Sequence, residues 1–316
     1  MLNRRHLRIK VLQFLYAYFQ SNDESYGKVE KELTNSVERI YDLYVYMLLT
    51  FSELKSIGLA KMEDGAKKIF PTDEDLNPNT KFVDNKLIEA LESSVELRTQ
   101  SELLKVNWMG VAEQEMLKKM YKAIRESETY FEFMNNDQSG YEEDRAFLIA
   151  LCKAEIANSP LLYNFFEEKS IHWMDDIDLA CSMVIKTLKG FNESDEICTI
   201  LPLYKDEKDE KEFIKTLLRK SITMEKENVT LIDELTQNWE LDRIAKMDII
   251  LMGMAITEMQ VFNNIPTKVS LNEYIEISKF YSTPKSNGFI NGILDKAIAR
   301  LEKDGKINKV GRGLKN

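Results

Sequence analysis

Helix breakers are scarce in this chain. Of 316 residues only 12 are Gly and 6 are Pro, less than half of the usual combined share of about 12%. A backbone with so few points at which a helix must stop reverses rarely, so long helices and an all-α fold are predicted. With 44% hydrophobic and 30% charged residues, the chain has the material for one large or two medium domains. The longest unbroken apolar run, Ile249 to Ile256, is only eight residues, and no apolar stretch follows the charged start. The sequence therefore predicts a cytoplasmic protein that is neither exported nor membrane-spanning.

Chemistry-bearing patterns are missing. Cys152, Cys181 and Cys198 are far apart and form no CxxC or CxxxC pair, which excludes a disulfide framework and a cysteine-rich zinc site. The two histidines, His6 and His172, belong to no metal-ligand spacing. His172, beside Trp173, reads as a helix-end residue. The glycines make neither a dinucleotide fingerprint nor a P-loop, and no nucleophile elbow, zinc-protease or kinase motif occurs. Acid pairs such as Glu142-Glu143 and Asp206-Glu207 read as solvated faces. No catalytic residue, metal or cofactor is predicted, and the chain is read as a binding protein rather than an enzyme.

Charge is unevenly placed. The formal net charge is −10, yet residues 1–10 hold Arg4, Arg5, Arg8 and Lys10 without an acid, and residues 301–316 hold five Lys or Arg against Glu302 and Asp304. The 290 residues between them carry −17. Basic ends on an acidic body make either a focused anion-binding patch or two solubilising termini.

The periodicity predicts a first helix capped by Asn3, with Leu7, Val11, Phe14, Leu15 and Tyr18 on one face, ending near Gln20. Its arginines oppose the helix dipole, so stability does not explain them, and Arg4 and Arg8 share a row at the rim of the apolar stripe. After a turn at 21–25, a helix is predicted over 28–57 and a loop over 64–80. Further helices follow over 81–106, 111–133, 140–157, 159–168 and 175–189. The charge run from Leu203 to Glu212 reads as a solvated link. Helices are predicted over 209–222 and 228–238, then an almost wholly apolar one from Asp242 to Phe262, which by its composition is central. Ser270 and Glu273 have the spacing of a capping box opening a helix to about Tyr281. Pro284 stops that helix and Ser286 caps the last one. Gly288 and Gly292, four apart on one side of it, predict that a neighbouring helix or an RNA backbone passes close by.

Basic side chains beside exposed aromatics suit single-stranded RNA, which offers phosphates to attract and bases to stack. Two stretches have that mixture: the arginines at 4–8, and the junction from Phe280 to Phe289 with Tyr281, Lys285 and Ser286. From its pattern alone the junction reads more readily as an interhelical turn whose aromatics enter the core.

These two stretches and the helix between them resemble the NusB family of transcription antitermination and ribosomal RNA processing factors. The resemblance rests on Arg4-Arg5-His6-Leu7-Arg8 running into Val11-Leu12-Gln13-Phe14-Leu15-Tyr16, on Met247 to Met259, and on two strings. The first string is Pro266-Thr267-Lys268-Val269-Ser270-Leu271-Asn272-Glu273, and the second is Phe289-Ile290-Asn291-Gly292-Ile293-Leu294-Asp295-Lys296. It covers about residues 1–22 and 205–301.

The resemblance implies an all-α fold, a NusB-like helical bundle with an inserted helical region. On this reading residues 1–24 and 205–301 form the bundle, 25–204 are a helical insertion, and 302–316 are a basic flexible tail. It also implies no enzymatic activity, and partners that are single-stranded boxA-like RNA of ribosomal RNA leaders, the small-subunit ribosomal protein NusE and the RNA polymerase antitermination complex. Carried over by position, Arg4, Arg5, Arg8, Phe280, Tyr281, Lys285, Ser286 and Phe289 are the RNA-binding candidates. Gly253 departs from the family's common arginine in the central helix, and Lys285 from an acidic residue in many members. The alternatives are a scaffold whose acidic insertion recruits polymerase or ribosomal proteins, and an RNA-binding partner of a ribosomal RNA-modifying enzyme.

Overall fold

The computed structural model describes residues 2–21, 25–173, 175–194, 199–236 and 243–310. Every regular element among them is helical. Cys198, Asp242 and the last residues of the helix expected over 228–238 lie outside the described residues. Two compact units are formed. One, the terminal unit, joins Leu2–Val37 to Tyr204–Asn316, and the other, the middle unit, is Glu38–Leu203. The change of unit on the N-terminal side falls inside a helix, between Val37 and Glu38. Charge divides with the units: residues 38–203 hold 18 Lys and Arg against 31 Asp and Glu, whereas the rest of the chain holds 25 against 22.

The terminal unit consists of α1 (Arg4–Gln20), the start of α2 (Tyr26–Ala66) and five C-terminal helices. The middle unit takes the remainder of α2 and eight further helices: α3 (Asp73–Leu76), α4 (Lys86–Ser93), α5 (Val95–Leu104), α6 (Val111–Arg125), α7 (Glu128–Asn135), α8 (Tyr141–Leu151), α9 (Pro160–Lys169) and α10 (Ile177–Gly190). The C-terminal five are α11 (Glu207–Thr223), α12 (Glu225–Leu235), α13 (Lys246–Val261), α14 (Thr267–Tyr281) and α15 (Pro284–Lys303). No single described helix is long and apolar enough to cross a membrane.

In the terminal unit α13 is the hub, packed against α1, α11, α12, α14 and α15. Leu251, Met252, Met254, Ala255, Ile256 and Met259 are all buried, as a helix apolar on nearly every side requires. Leu7, Val11, Leu12 and Leu15 of α1 are buried too. At the start of α1, Asn3 accepts the His6 N–H at 3.1 Å and donates its own N–H to His6 Nδ1 at 3.5 Å, so the histidine completes the cap.

Two caps differ from the sequence expectation. Helix α14 begins at Thr267, after Pro266 and ahead of Ser270, with no side-chain cap; Ser270 and Glu273 are engaged by other side chains, described below. For α15 the cap is Thr283, whose Oγ1 accepts the Ser286 N–H at 3.3 Å, with Pro284 as the first helical residue. Proline suits that position because its missing N–H would have had no partner there. The described part of the tail is fastened rather than loose. The Val310 N–H donates to Asn263 O at 3.1 Å, Lys309 Nζ to Phe262 O at 2.9 Å, and Lys306 Nζ pairs with Glu227 at 2.7 Å.

In the middle unit α2 runs past its expected end at 57. Gly58 stays helical and is buried, and a Cβ there would stand 2.8 Å from the Tyr121 hydroxyl of α6. The helix predicted over 81–106 divides at Ser94, and that over 111–133 divides at Ser127, because each serine side chain caps a new helix. The core holds two aromatic clusters. Tyr46 of α2 meets Trp108, Phe165, Phe166 and Trp173, and Phe82 meets Tyr121, Tyr130 and Phe147.

The close approach expected at Gly288 and Gly292 is absent. Both are exposed, and a Cβ at either would meet nothing within 4 Å. The glycines therefore weaken α15 without a packing return, and Gly292→Ala should stabilise the protein by about 0.5–1 kcal/mol. Thermal or urea unfolding checks this; a destabilised variant would restore the close-approach reading.

Candidate nucleic-acid interface

The three arginines of α1 have three different environments. Arg8 is buried, 2% exposed, and its Nε and Nη2 donate to the two oxygens of Glu258 at 2.8 and 2.7 Å. Glu258 sits in α13 at 0% exposure and also accepts Ser270 Oγ at 2.6 Å and Tyr274 OH at 3.0 Å. Four donors thus satisfy one buried carboxylate, the condition under which a charge survives in a core. Burial opposes the charge on Arg8, but the Glu258 hydrogen bonds and nearby carboxylates leave its pKa raised. Burial, then the Glu258 charge, push the Tyr274 phenol well above its usual range. The expectation that Arg8 lies at a rim with Arg4 is corrected: its guanidinium is enclosed by α13 and α14 and also approaches Glu273 at 3.7 Å.

Arg4 and Arg5 are at the surface. Arg5 makes a two-pronged pair with Glu273 of α14 at 2.9 and 2.8 Å and remains 39% exposed. The Arg5 hydrogen bonds hold the Glu273 carboxyl below its usual range. Arg4 pairs with Asp209 of α11 at 2.7 Å and lies 4.9 Å from the Phe213 ring centroid. So the charge run, which enters the first turn of α11, is not wholly solvated: Asp209 holds Arg4, and Glu210 is buried, accepting the Lys205 N–H at 3.0 Å.

An open cleft of about 470 Å³ is lined by Arg4, Arg5, Asn264, Pro266, Val269 and Glu273, among others. Because α14 has no side-chain cap, its first N–H groups at this cleft are suited to receive an anion. Lys268, exposed and without an ion pair among the described residues, stands in the same first turn. Sequence reasoning placed Lys268 in a family string but not in the site, because the capping-box spacing of Ser270 and Glu273 put it ahead of the helix rather than in its first turn.

The second candidate stretch lies along the same seam. Arg5 meets Glu273, and eight residues further along both helices Gln13 Nε2 donates to Tyr281 OH at 3.3 Å. Helices α1 and α14 therefore run side by side in one direction, and the two contacts are about 12 Å apart. Phe280 is 79% exposed, Lys285 is exposed without an ion pair among the described residues, and Tyr281, Ser286 and Phe289 are half-buried. The turn is fixed by Ser278 Oγ donating to Asn287 Oδ1 at 2.8 Å and by Ser282 donating to Asp248. Phe280 thus points to solvent instead of entering the core.

A separate apolar pocket of about 290 Å³ opens between α1, α12 and α13, lined by Tyr16, Phe19, Ile249, Ile250, Gly253 and Met254 among others. Gly253 leaves part of its wall without a side chain. Beside it, Asn228 Nδ2 donates to Gly253 O at 3.1 Å and to Thr257 Oγ1 at 2.8 Å.

Two stability predictions follow from this geometry. Arg8→Met should cost about 3–5 kcal/mol, because it leaves a buried carboxylate without its counter-charge. Adding Glu258→Gln should recover part of that loss, since it removes the uncompensated charge while the amide oxygen accepts from one of the two hydroxyls of Ser270 and Tyr274 and the NH2 donates to the other; denaturant titration of both variants checks this. Burial, then the Arg5 charge, depress the His6 pKa from near 6.5 to about 4. The unfolded chain therefore takes up a proton that the folded state refuses, and stability falls as pH drops from 6.5 towards 4. His6→Gln, which keeps a capping acceptor, should show a shallower fall in melting temperature between pH 7 and pH 5.

The profile described as the NusB family matches residues 179–299. The chain is 37% identical over 142 residues to the transcription antitermination protein NusB of Salinibacter ruber, covering 43% of this chain and 88% of that relative. It is 44% identical over 104 residues to that of Chloroherpeton thalassium, covering 33% of this chain and 49% of the relative. Against that of Natranaerobius thermophilus it is 37% identical over 92 residues, 29% of this chain and 66% of the relative. No solved structure matches the chain. With nearly nine-tenths of one such relative aligned at this identity, the chain belongs to the NusB family.

Proposed function

We propose that this protein is a transcription antitermination factor. In this reading it binds single-stranded boxA-like RNA of ribosomal RNA leaders along the α1–α14 seam, together with NusE in an RNA polymerase antitermination complex. The observation that carries the reading is the seam itself. At one end are Arg4, Arg5, Lys268 and the uncapped start of α14, and about 12 Å along it, at Tyr281, is the turn that carries Phe280 and Lys285. Cations and amides suit phosphates, and a projecting phenylalanine suits a stacked base. Arg8 contributes from inside, by fixing α1 against α13 and α14. Tyr281, Ser286 and Phe289 shape the turn that presents Phe280 and Lys285.

The apolar pocket with Tyr16 at its edge is the surface we assign to NusE, whose contact there buries Tyr16 and Phe19. Residues 38–178, the part of the middle unit ahead of the family match, are taken as an addition to the RNA-binding unit. Binding, without catalysis, is the whole of the proposed activity.

Arg4 and Arg5 are already paired with Asp209 and Glu273, so RNA must compete with those carboxylates. Two opposed outcomes are expected in titrations of boxA-like and scrambled RNA across a salt series. Arg4→Ala with Arg5→Ala should weaken binding and flatten the slope of log K against log salt by about 1.4, at ~0.7 per phosphate contact on a single strand. Asp209→Asn should tighten binding, because it frees Arg4. A slope unchanged by the double substitution would remove the arginines from the interface.

A further inference from the structure

The middle unit is strongly acidic, with 31 Asp and Glu against 18 Lys and Arg, yet one part of it gathers cations. Lys119, Lys122 and Arg125 recur every three residues along one flank of α6 and are all exposed. The Gly58–Tyr121 contact sets the neighbouring turn of α2 against this flank, and Lys61 follows one turn after Gly58. Arg125, Lys122 and Lys68 all bear electrostatically on Lys61, as does Glu126 with the opposite sign. Lys61, Lys119 and Lys122 make no ion pair among the described residues. Like charges held together without partners cost stability, which points to a role outside folding.

A projecting aromatic accompanies them. Just past the end of α2, Ile69 and Phe70 are each 89% exposed. They are not on a loose loop. Asp75 accepts Lys68 Nζ at 2.7 and 3.0 Å and the Thr72 N–H at 2.9 Å, while Thr72 Oγ1 accepts the Asp75 N–H at 3.2 Å. This turn holds Phe70 in water two residues from Lys68.

We infer that Lys61, Lys122, Arg125 and Phe70 form a second single-stranded RNA site, on the middle unit, in which the cations take successive phosphates and Phe70 stacks on a base. The pairing of dispersed positive charge with an unenclosed aromatic face matches how unstructured strands are held without sequence preference. The acidic remainder of the unit repels RNA elsewhere and so confines it to this patch. The inference rests on the RNA-binding reading of the terminal unit, since it assigns the middle unit the same class of ligand.

The test uses the full chain and a thirty-nucleotide uridine oligomer in fluorescence anisotropy across a salt series. Lys61→Ala with Lys122→Ala and Arg125→Ala should flatten the salt slope by about 2, at ~0.7 per contact. Phe70→Ala should weaken binding by at least about fivefold. These side chains are exposed, so circular dichroism should be unchanged. If both variants titrate like the parent while Arg4→Ala with Arg5→Ala loses affinity, the second site is overturned and the seam stands; an acidic protein as the occupant would give this result. If the Arg4 and Arg5 substitutions have no effect while the middle-unit variants lose binding, the second site stands and the seam falls. A parent that binds no RNA overturns both.

Discussion

The buried pair between Arg8 and Glu258 organises the terminal unit. A carboxylate at zero exposure on the central helix is tolerable only if every lone pair finds a donor, and the four donors come from α1 and α14. The requirement therefore fixes three helices at one point and leaves little freedom in their register. Such pairs add little net stability over an apolar core of the same shape, but an unpaired member is severely destabilising. Their value lies in allowing one arrangement and penalising the rest.

That arrangement makes the surface. With Arg8 locked, Arg5 one turn earlier meets Glu273, and Gln13, about two turns beyond Arg5, meets Tyr281. The parallel seam of α1 and α14 is the outer consequence of the inner pair. It also explains why the arginines, unfavourable at a helix N-terminus, are tolerated: each has a carboxylate from another helix. The arginine part of the proposed RNA site is thus close to neutral before RNA arrives, and its response to salt depends on how readily Asp209 and Glu273 yield their partners.

Charge separates the two units more sharply than sequence position does. The terminal unit has a slight excess of cations and the middle unit a large excess of acids. Against that field, the cations near Lys61 and the exposed Phe70 are the exception in the middle unit, and the proposed second site gives the exception a purpose.

Much of this was legible in the sequence, because it is local. Sparse glycine and proline, the 3.6-residue period of Leu7, Val11 and Leu15, the apolar run around Met252 and the Asn3 cap depend only on neighbours along the chain, and they predicted the all-α fold, the first helix and the central one. The family strings identified the relatives by the same local means. Charge pairing is not local. Arg4, Arg5 and Arg8 look alike in a sequence, and only the packing of helices some 200 to 270 residues away made one a core residue and two surface ones. Ser270 and Glu273 matched a capping box by spacing, but the donor demand of Glu258 and the charge on Arg5 outbid the backbone. Gly288 and Gly292 implied a neighbour that the fold does not supply. The sequence by itself determined which segments are helical and which faces are apolar, since both follow from short-range backbone preference and solvent exclusion. Tertiary structure decided which charges are buried, paired or left facing water, because a charge is satisfied by whatever the fold brings within about 3 Å, and that distance in space has no counterpart along the chain.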